Sequence, residues 1–332
     1  MKFTVTIDVE EEGLFSGIYS TDDSSALNVY QLDRLDQVFM ELGVRPTLLV
    51  SYQVANKKDV LKKLFSLKTR WKAEVGAHLH HWNTPPIVVD TIRPPAPSEL
   101  LSSDLLEAKT RSLLGVLQES DLYATSFRMG RFNLGPKMFQ ILEQVGIKVD
   151  SSVTPMRREY GGANHLWAPT DPYFPDPLDP TKTGSSDVLE VPVTILPILK
   201  GIDNYLKLFS KTAFTPRAAI EWLALNLGSI SPQPAWVNLG VAKAGVMLHK
   251  SRGGDCVTIF FHSSELAPRL NPLNPTEKAV ERFIKRLALL IQWLMNRYNA
   301  KCHTLSELYP LYNLQGATPK KAPLVEKHVD SF

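Results

Sequence analysis

Cysteine is nearly missing. Cys256 and Cys302 are the two in 332 residues, which excludes a disulfide framework and a thiolate zinc knuckle. Both lie in apolar, strand-like stretches, so buried free thiols are expected. Long apolar runs are missing as well. None reaches the roughly 18 residues that span a bilayer, and Leu287 to Met295 is interrupted by Gln292. Charge of one sign is nowhere concentrated: 37 basic and 34 acidic residues leave a scattered net +3. That argues against a nucleic-acid partner and against an acidic tail. The first strand-like segment starts at residue 3, leaving no room for a leader peptide, so a cytoplasmic location is expected.

What the chain does have is core material and a regular alternation. With 44% apolar residues it can bury a large interior. Phe3 to Ile7, Pro46 to Val50, Ala73 to Ala77, Ala124 to Phe127 and Ile147 to Ser151 read as strands. Between them, helical spacing marks Tyr30 to Leu42, Val60 to Leu67, Ser98 to about Leu117 and Pro136 to Gly146. Val188 to Val193 and Val257 to Phe261 follow as strands, Pro216 to Leu227 as a helix capped by Thr215. Asn274-Pro275-Thr276-Glu277 opens another helix, with apolar residues from Val280 to Leu294. Repeated strand–helix units argue for a parallel sheet closed, or nearly closed, into a barrel. One α/β domain over 1–313 is expected, with insertions at about 155–187 and 201–254 and a loose tail at 314–332.

Polar clusters stand where the apolar runs stop. Ile7 leads to Asp8 and Glu10; Ala77 to His78, His80 and His81; Phe127 to Arg128 and Arg131; Val149 to Asp150; Phe261 to His262. In a barrel of parallel strands such ends converge on one mouth. Residues two apart on a strand share a face, which pairs Asp8 with Glu10 and His78 with His80. Two imidazoles and a carboxylate are a common open zinc site, and they leave Asp8 as a candidate base. His81 stays a rival to His80, because a loop need not keep strand parity.

In this order, Thr6-Ile7-Asp8-Val9-Glu10, Glu74 through His80, Ser126 through Arg131, Asp150-Ser151-Ser152 and Phe261 through Leu266 resemble the motifs of the polysaccharide deacetylases. These are the NodB-homology enzymes of carbohydrate esterase family 4. The resemblance spans roughly residues 1 to 310 and implies a distorted (β/α) barrel of the glycoside hydrolase–deacetylase type. It implies a divalent metal, most often Zn2+, and removal of acetyl groups from sugars. By position, Asp8 matches the base, His78 the first metal histidine and Arg128 the arginine that holds the base. His262 matches the general acid, and Asp150 the acidic residue that orients it. The chain departs from the family in two places. Val9 stands where the metal aspartate is usual and Trp82 where the second histidine is usual, so Glu10 and His80 are the expected replacements.

Trp82, Trp167 and Tyr173 are candidate sugar-stacking residues, and Arg131 a candidate contact for an anionic group. The expected activity is metal-dependent deacetylation of an N-acetylated sugar or polysaccharide precursor of cell-envelope or exopolysaccharide metabolism. A hydrolase of formyl or cyclic amides in small molecules is the nearest alternative. A non-catalytic glycan-binding module is the alternative of another class.

Overall fold

The computed structural model describes residues 1–314 apart from Ile18, Asp22, 89–96, 159–162 and 200–227. Strand β1 (Lys2–Val9) belongs to a parallel sheet and is buried from Phe3 onward. It is followed by β2 (Thr47–Ser51), β3 (Glu74–Leu79), β4 (Ser126–Met129), β5 (Val149–Asp150) and β8 (Leu189–Glu190), all in parallel register. On its other side β1 pairs with β11 (Cys256–His262). This curled, seven-strand order β11-β1-β2-β3-β4-β5-β8 is the expected distorted barrel, left open between its two ends. An eighth strand, β12 (Lys301–Cys302), also pairs with β1.

Alternation gives the sheet two chemically distinct faces. Phe3, Val5, Ile7, Val9, Val75, Ala77, Leu79, Phe127 and Met129 join the outer apolar core against the helices. Thr4, Thr6, Asp8, His78, Ser126 and Arg128, the alternate residues, are buried on the inner face. The helices α1 (Asp36–Leu42), α2 (Tyr52–Ala55), α3 (Lys58–Trp71), α4 (Ser103–Gln118) and α5 (Pro136–Gln144) cover the outer face. α6 (Leu239–Ser251) and α7 (Glu277–Tyr298) complete this layer. Helix α8 (Leu305–Asn313) packs Leu305 and Leu308 against Leu49, Val149 and Leu189, filling the end of the barrel away from the polar clusters.

The barrel gap is closed by side chains rather than by a strand. Along the free edge of β11, Cys256 N–H donates to Asp171 Oδ1 (2.9 Å) and Thr258 N–H to Thr194 Oγ1 (2.8 Å). Gln233 completes the edge: its Nε2 donates to Thr258 O and its Oε1 accepts from Phe260 N–H, both at 2.8 Å. Each backbone group so bonded is spared burial without a partner.

Several elements differ from the sequence reading. The helix expected at Tyr30 begins as a 3-10 helix, Leu27–Leu35, before α1. The α4 start falls at Ser103, because Ser102 Oγ accepts from Leu105 N–H as the cap (3.3 Å). The irregular segment after residue 160 contains a hairpin, β6 (Pro175–Asp176) with β7 (Asp179–Thr183). A second short pair joins β9 (Leu196–Pro197) to β10 (Ser229–Ile230). The helix expected at Pro216 to Leu227 and the tail from 315 lie outside the described residues. Cys256 and Cys302 are free thiols, the first buried and the second partly so. Among the described residues no helix is long and apolar enough to cross a membrane.

Candidate active site

Register alone brings the polar strand ends together. Asp8 is paired with His262 across β1 and β11, and His78 with Arg128 across β3 and β4. Glu10, just beyond β1, places Oε2 3.4 Å from His78 Nε2 and 3.2 Å from His80 Nε2. All three side chains are buried, and one ligand atom from each lies within 4.8 Å of the others. Among the described residues this is the one group of histidine, cysteine and carboxylate side chains so gathered.

Separate partners aim both imidazoles. His78 Nδ1 is 3.1 Å from the Arg128 carbonyl, which makes Nδ1 the protonated nitrogen and leaves Nε2 facing Glu10. His80 Nδ1 lies 2.8 Å from Glu11 Oε1. Glu11 is fixed in turn by Asn83 Nδ2 (2.6 Å) and by Ser51 Oγ on its other oxygen (2.8 Å). Such carboxylate–histidine and carbonyl–histidine contacts suit a metal site. The electrostatics point the same way. Burial alone would raise the Glu10 carboxyl, yet His262, His78 and His80 hold it well below the usual carboxylate range. Burial would lower His80, but Glu11 and Glu10 push it up to about 10. Two buried carboxylates around two histidines call for a cation, a proton or a metal ion.

Beside this group lies a second one. Arg128, completely buried, donates from Nη1 to Asp8 Oδ1 (2.7 Å), from Nε to Ser151 O (2.7 Å) and from Nη2 to Ser151 Oγ (2.8 Å). Asp8 Oδ2 is left toward the mouth, 3.9 Å from His78 Nε2 and 3.8 Å from His262 Nε2. His262 has its other nitrogen, Nδ1, 2.9 Å from Glu265 Oε1. Burial would lower His262, but Glu10, Glu265 and Asp8 push it up to about 9.

A cavity of about 450 Å3 opens onto these groups. Trp82 lines it and stacks on His80, with ring centroids 4.4 Å apart and planes 20° from parallel. Arg131 lines it too and is held by the Tyr19 hydroxyl and ring. Arg131 and Phe132 are consecutive left-handed residues, at φ 56° and 52°, a strained turn at the end of β4 that sets both at the mouth.

Other expected site residues fall elsewhere. His81 lies outside the Glu10–His78–His80 group and packs edge-on against Trp82. Tyr173 is buried away from the cavity, its hydroxyl donating to Pro180 O (2.5 Å), and is not brought to the other expected site residues. Trp167 packs beside Met156, Val193, Ile195 and Phe260 and is likewise absent from the cavity lining. Asp150 is not brought to His262. Its register partner is Phe127, an outward residue, so parity turns it to the face opposite Arg128. There it accepts from Ser152 N–H and Oγ and lies beside Glu190. Glu11, Glu265, Phe15, Tyr19 and Phe132 were not singled out in the sequence; a carboxylate next to a ligand, or three residues after a histidine, was the available signal.

Neither protein-family models nor curated proteins match the sequence. Solved structures do match the fold. One, from Parabacteroides distasonis and provisionally described as a glycoside hydrolase/deacetylase, has a TM-score of 0.61 at 12% identity, covering 95% of this chain and 71% of its own. Another, from Mycobacterium smegmatis and provisionally described as a polysaccharide deacetylase, has a TM-score of 0.55 at 15% identity, covering 97% and 93%. The chain therefore has the α/β barrel fold of polysaccharide deacetylases.

Proposed function

We propose that the chain is a metal-dependent hydrolase that removes an acetyl group from an N-acetylated sugar or polysaccharide precursor. The observation that carries this reading is the position of Asp8 Oδ2. It faces the Glu10–His78–His80 group on one side and His262 on the other. Those three residues would hold a divalent ion, Zn2+ by the nature of the ligands. When bound, the ion polarises the substrate carbonyl and lowers the pKa of water.

Asp8 takes a proton from the attacking water through Oδ2, while Arg128 Nη1 donates to Oδ1 and fixes the direction in which the carboxylate points. His262 Nε2, which lines the same cavity, delivers a proton to the departing amine nitrogen. Phe15, Trp82 and Phe132 supply apolar faces for the sugar ring, and Arg131 borders the same space. A glycan-binding module would need neither a base nor an acid. A cytoplasmic or lipid-linked precursor of envelope or exopolysaccharide assembly is the substrate we favour.

The test is metal analysis of purified protein alongside acetate release from N-acetylated chito-oligosaccharides. About one equivalent of zinc, lost in both Glu10→Ala and His78→Ala, is expected. Protein that takes up no zinc on loading overturns the proposal.

A further inference from the structure

We propose that Glu265, and not Asp150, is the positioning residue for His262, fixing the orientation and tautomer of its ring. This rests on the function proposed above.

The geometry is local. β11 ends at His262, and the next four residues, Ser263–Leu266, form a 3-10 turn. Glu265 reaches back across that turn. One oxygen, Oε1, accepts from His262 N–H (3.1 Å) and lies 2.9 Å from Nδ1 of the same residue. A single atom thus ties backbone and imidazole together and makes Nδ1 the protonated nitrogen. Nε2 is then the nitrogen turned to Asp8.

Burial sharpens the argument. Glu265 is 1% exposed, and its Oε2 has no hydrogen-bond partner among the described residues. A buried carboxylate left half-satisfied is costly unless a cation stands beside it. His262 is the ionisable ring in contact with it. The other groups facing that ring are Asp8 and Glu10 from the β1 end, with Phe15 edge-on at 4.9 Å and Phe260 at 5.6 Å. The carboxylates favour the imidazolium in concert with Glu265.

The turn is anchored to the segment that carries Glu10. Asn28 Nδ2 lies within bonding distance of Glu10 O (3.0 Å) and of Ser263 Oγ (2.9 Å), and Asn274 Nδ2 donates to Glu265 O (2.9 Å). Asp150 has a different task. Its side chain shapes the Ser151–Ser152 turn, which gives Arg128 two acceptors and Met129 N–H one.

The test compares Glu265→Gln with Asp150→Asn in the zinc-loaded full chain. Imidazole 1H–15N spectra identify His262 through the signal lost in His262→Gln. In the parent, an Nδ1-protonated ring with a resolvable titration midpoint is expected. Glu265→Gln should lower that midpoint by about one pH unit or more, and Asp150→Asn should leave it in place. Glu265→Asp, which keeps charge but shortens the reach, should give a smaller drop. If Glu265→Gln does not fold, the Glu265→Asp and Asp150→Asn pair decides. A midpoint unmoved by the Glu265 variants, or moved as far by Asp150→Asn, overturns the inference. Kinetics on chitotetraose add a second readout: the alkaline limb of kcat should shift down in Glu265→Gln with KM little changed. Wild-type protein that binds zinc yet releases no acetate from any N-acetylated sugar sinks the functional proposal instead. The spectra still decide whether Glu265 positions the ring.

Discussion

Asp8 has its two oxygens assigned to two neighbours, and that division makes it the most informative residue to change. In Asp8→Asn, turnover should fall by about 10²- to 10⁴-fold, while bound zinc stays near that of the parent. Acetate release and metal analysis on one preparation check both. Loss of zinc in parallel with turnover would make Asp8 a ligand instead. Arg128 is the other half of the pair. Both side chains are almost fully buried, 0% and 2% exposed, so Arg128→Ala strands an uncompensated carboxylate. Breaking a buried pair in this way costs about 3–5 kcal/mol, readable as a lowered urea midpoint. A variant as stable as the parent would show that water reaches Asp8 freely.

At the scale of elements, two positions test how the barrel holds its site. Gln233 satisfies one donor and one acceptor on the open edge of β11. Gln233→Ala leaves both unpaired, for about 2–6 kcal/mol of lost stability at the usual cost per buried group. Gly130 matters for space rather than for conformation. A Cβ there would come within 2.5 Å of His80 Cδ2 and 2.8 Å of Leu79 O. Gly130→Ala should therefore displace His80 and weaken zinc about 10- to 100-fold, as disturbed metal surroundings do. Competition against a chelator measures it, and unchanged affinity would remove His80 from the ligand set. The strand starts and the periodic helices were legible in the sequence because alternation and helical spacing are local. Helix α6 was not, since its apolar residues follow a weak pattern, and neither were the short strands β6, β9 and β10, which pairing alone defines.

For the whole molecule the balance of buried charge sets the pH response. His80 and His262 are raised above their free value of 6.5, to about 10 and about 9. Their contribution to stability is complete below pH 6.5 and is lost as pH rises through those folded values. Glu10 and Glu11 are lowered from 4.5, Glu11 to about 2, so theirs is present above pH 4.5 and lost on acidification. Lys109, lowered by burial to about 8, opposes the alkaline loss over its own range. Metal-free protein should thus be most stable between about pH 4.5 and 6.5 and weaken toward pH 9.5. Zinc needs the His80 proton displaced, so loading at neutral pH should release protons and flatten the alkaline decline. Melting temperatures with and without chelator across this range check it. A metal-free melting point that climbs from pH 6.5 to 9.5 would refute it.

By itself the sequence determined the inner-face chemistry: carboxylates, imidazoles and a guanidinium at strand ends, with Asp8 and Glu10, or His78 and His80, sharing a face by the period of two. It also determined that this face would be buried, since the alternate residues are apolar and must meet helices. What only the tertiary structure decided was register between strands. Asp150 follows an apolar strand just as Asp8 does, yet pairing with Phe127 turns it to the other face, beside Glu190. The same holds for loops, where parity lapses. His80 rather than His81 joins Glu10 because Glu11, itself held by Ser51 and Asn83, fixes the His80 ring. Periodicity along one strand is a local property that residues declare directly. Which neighbour a side chain meets depends on contacts made across the whole sheet.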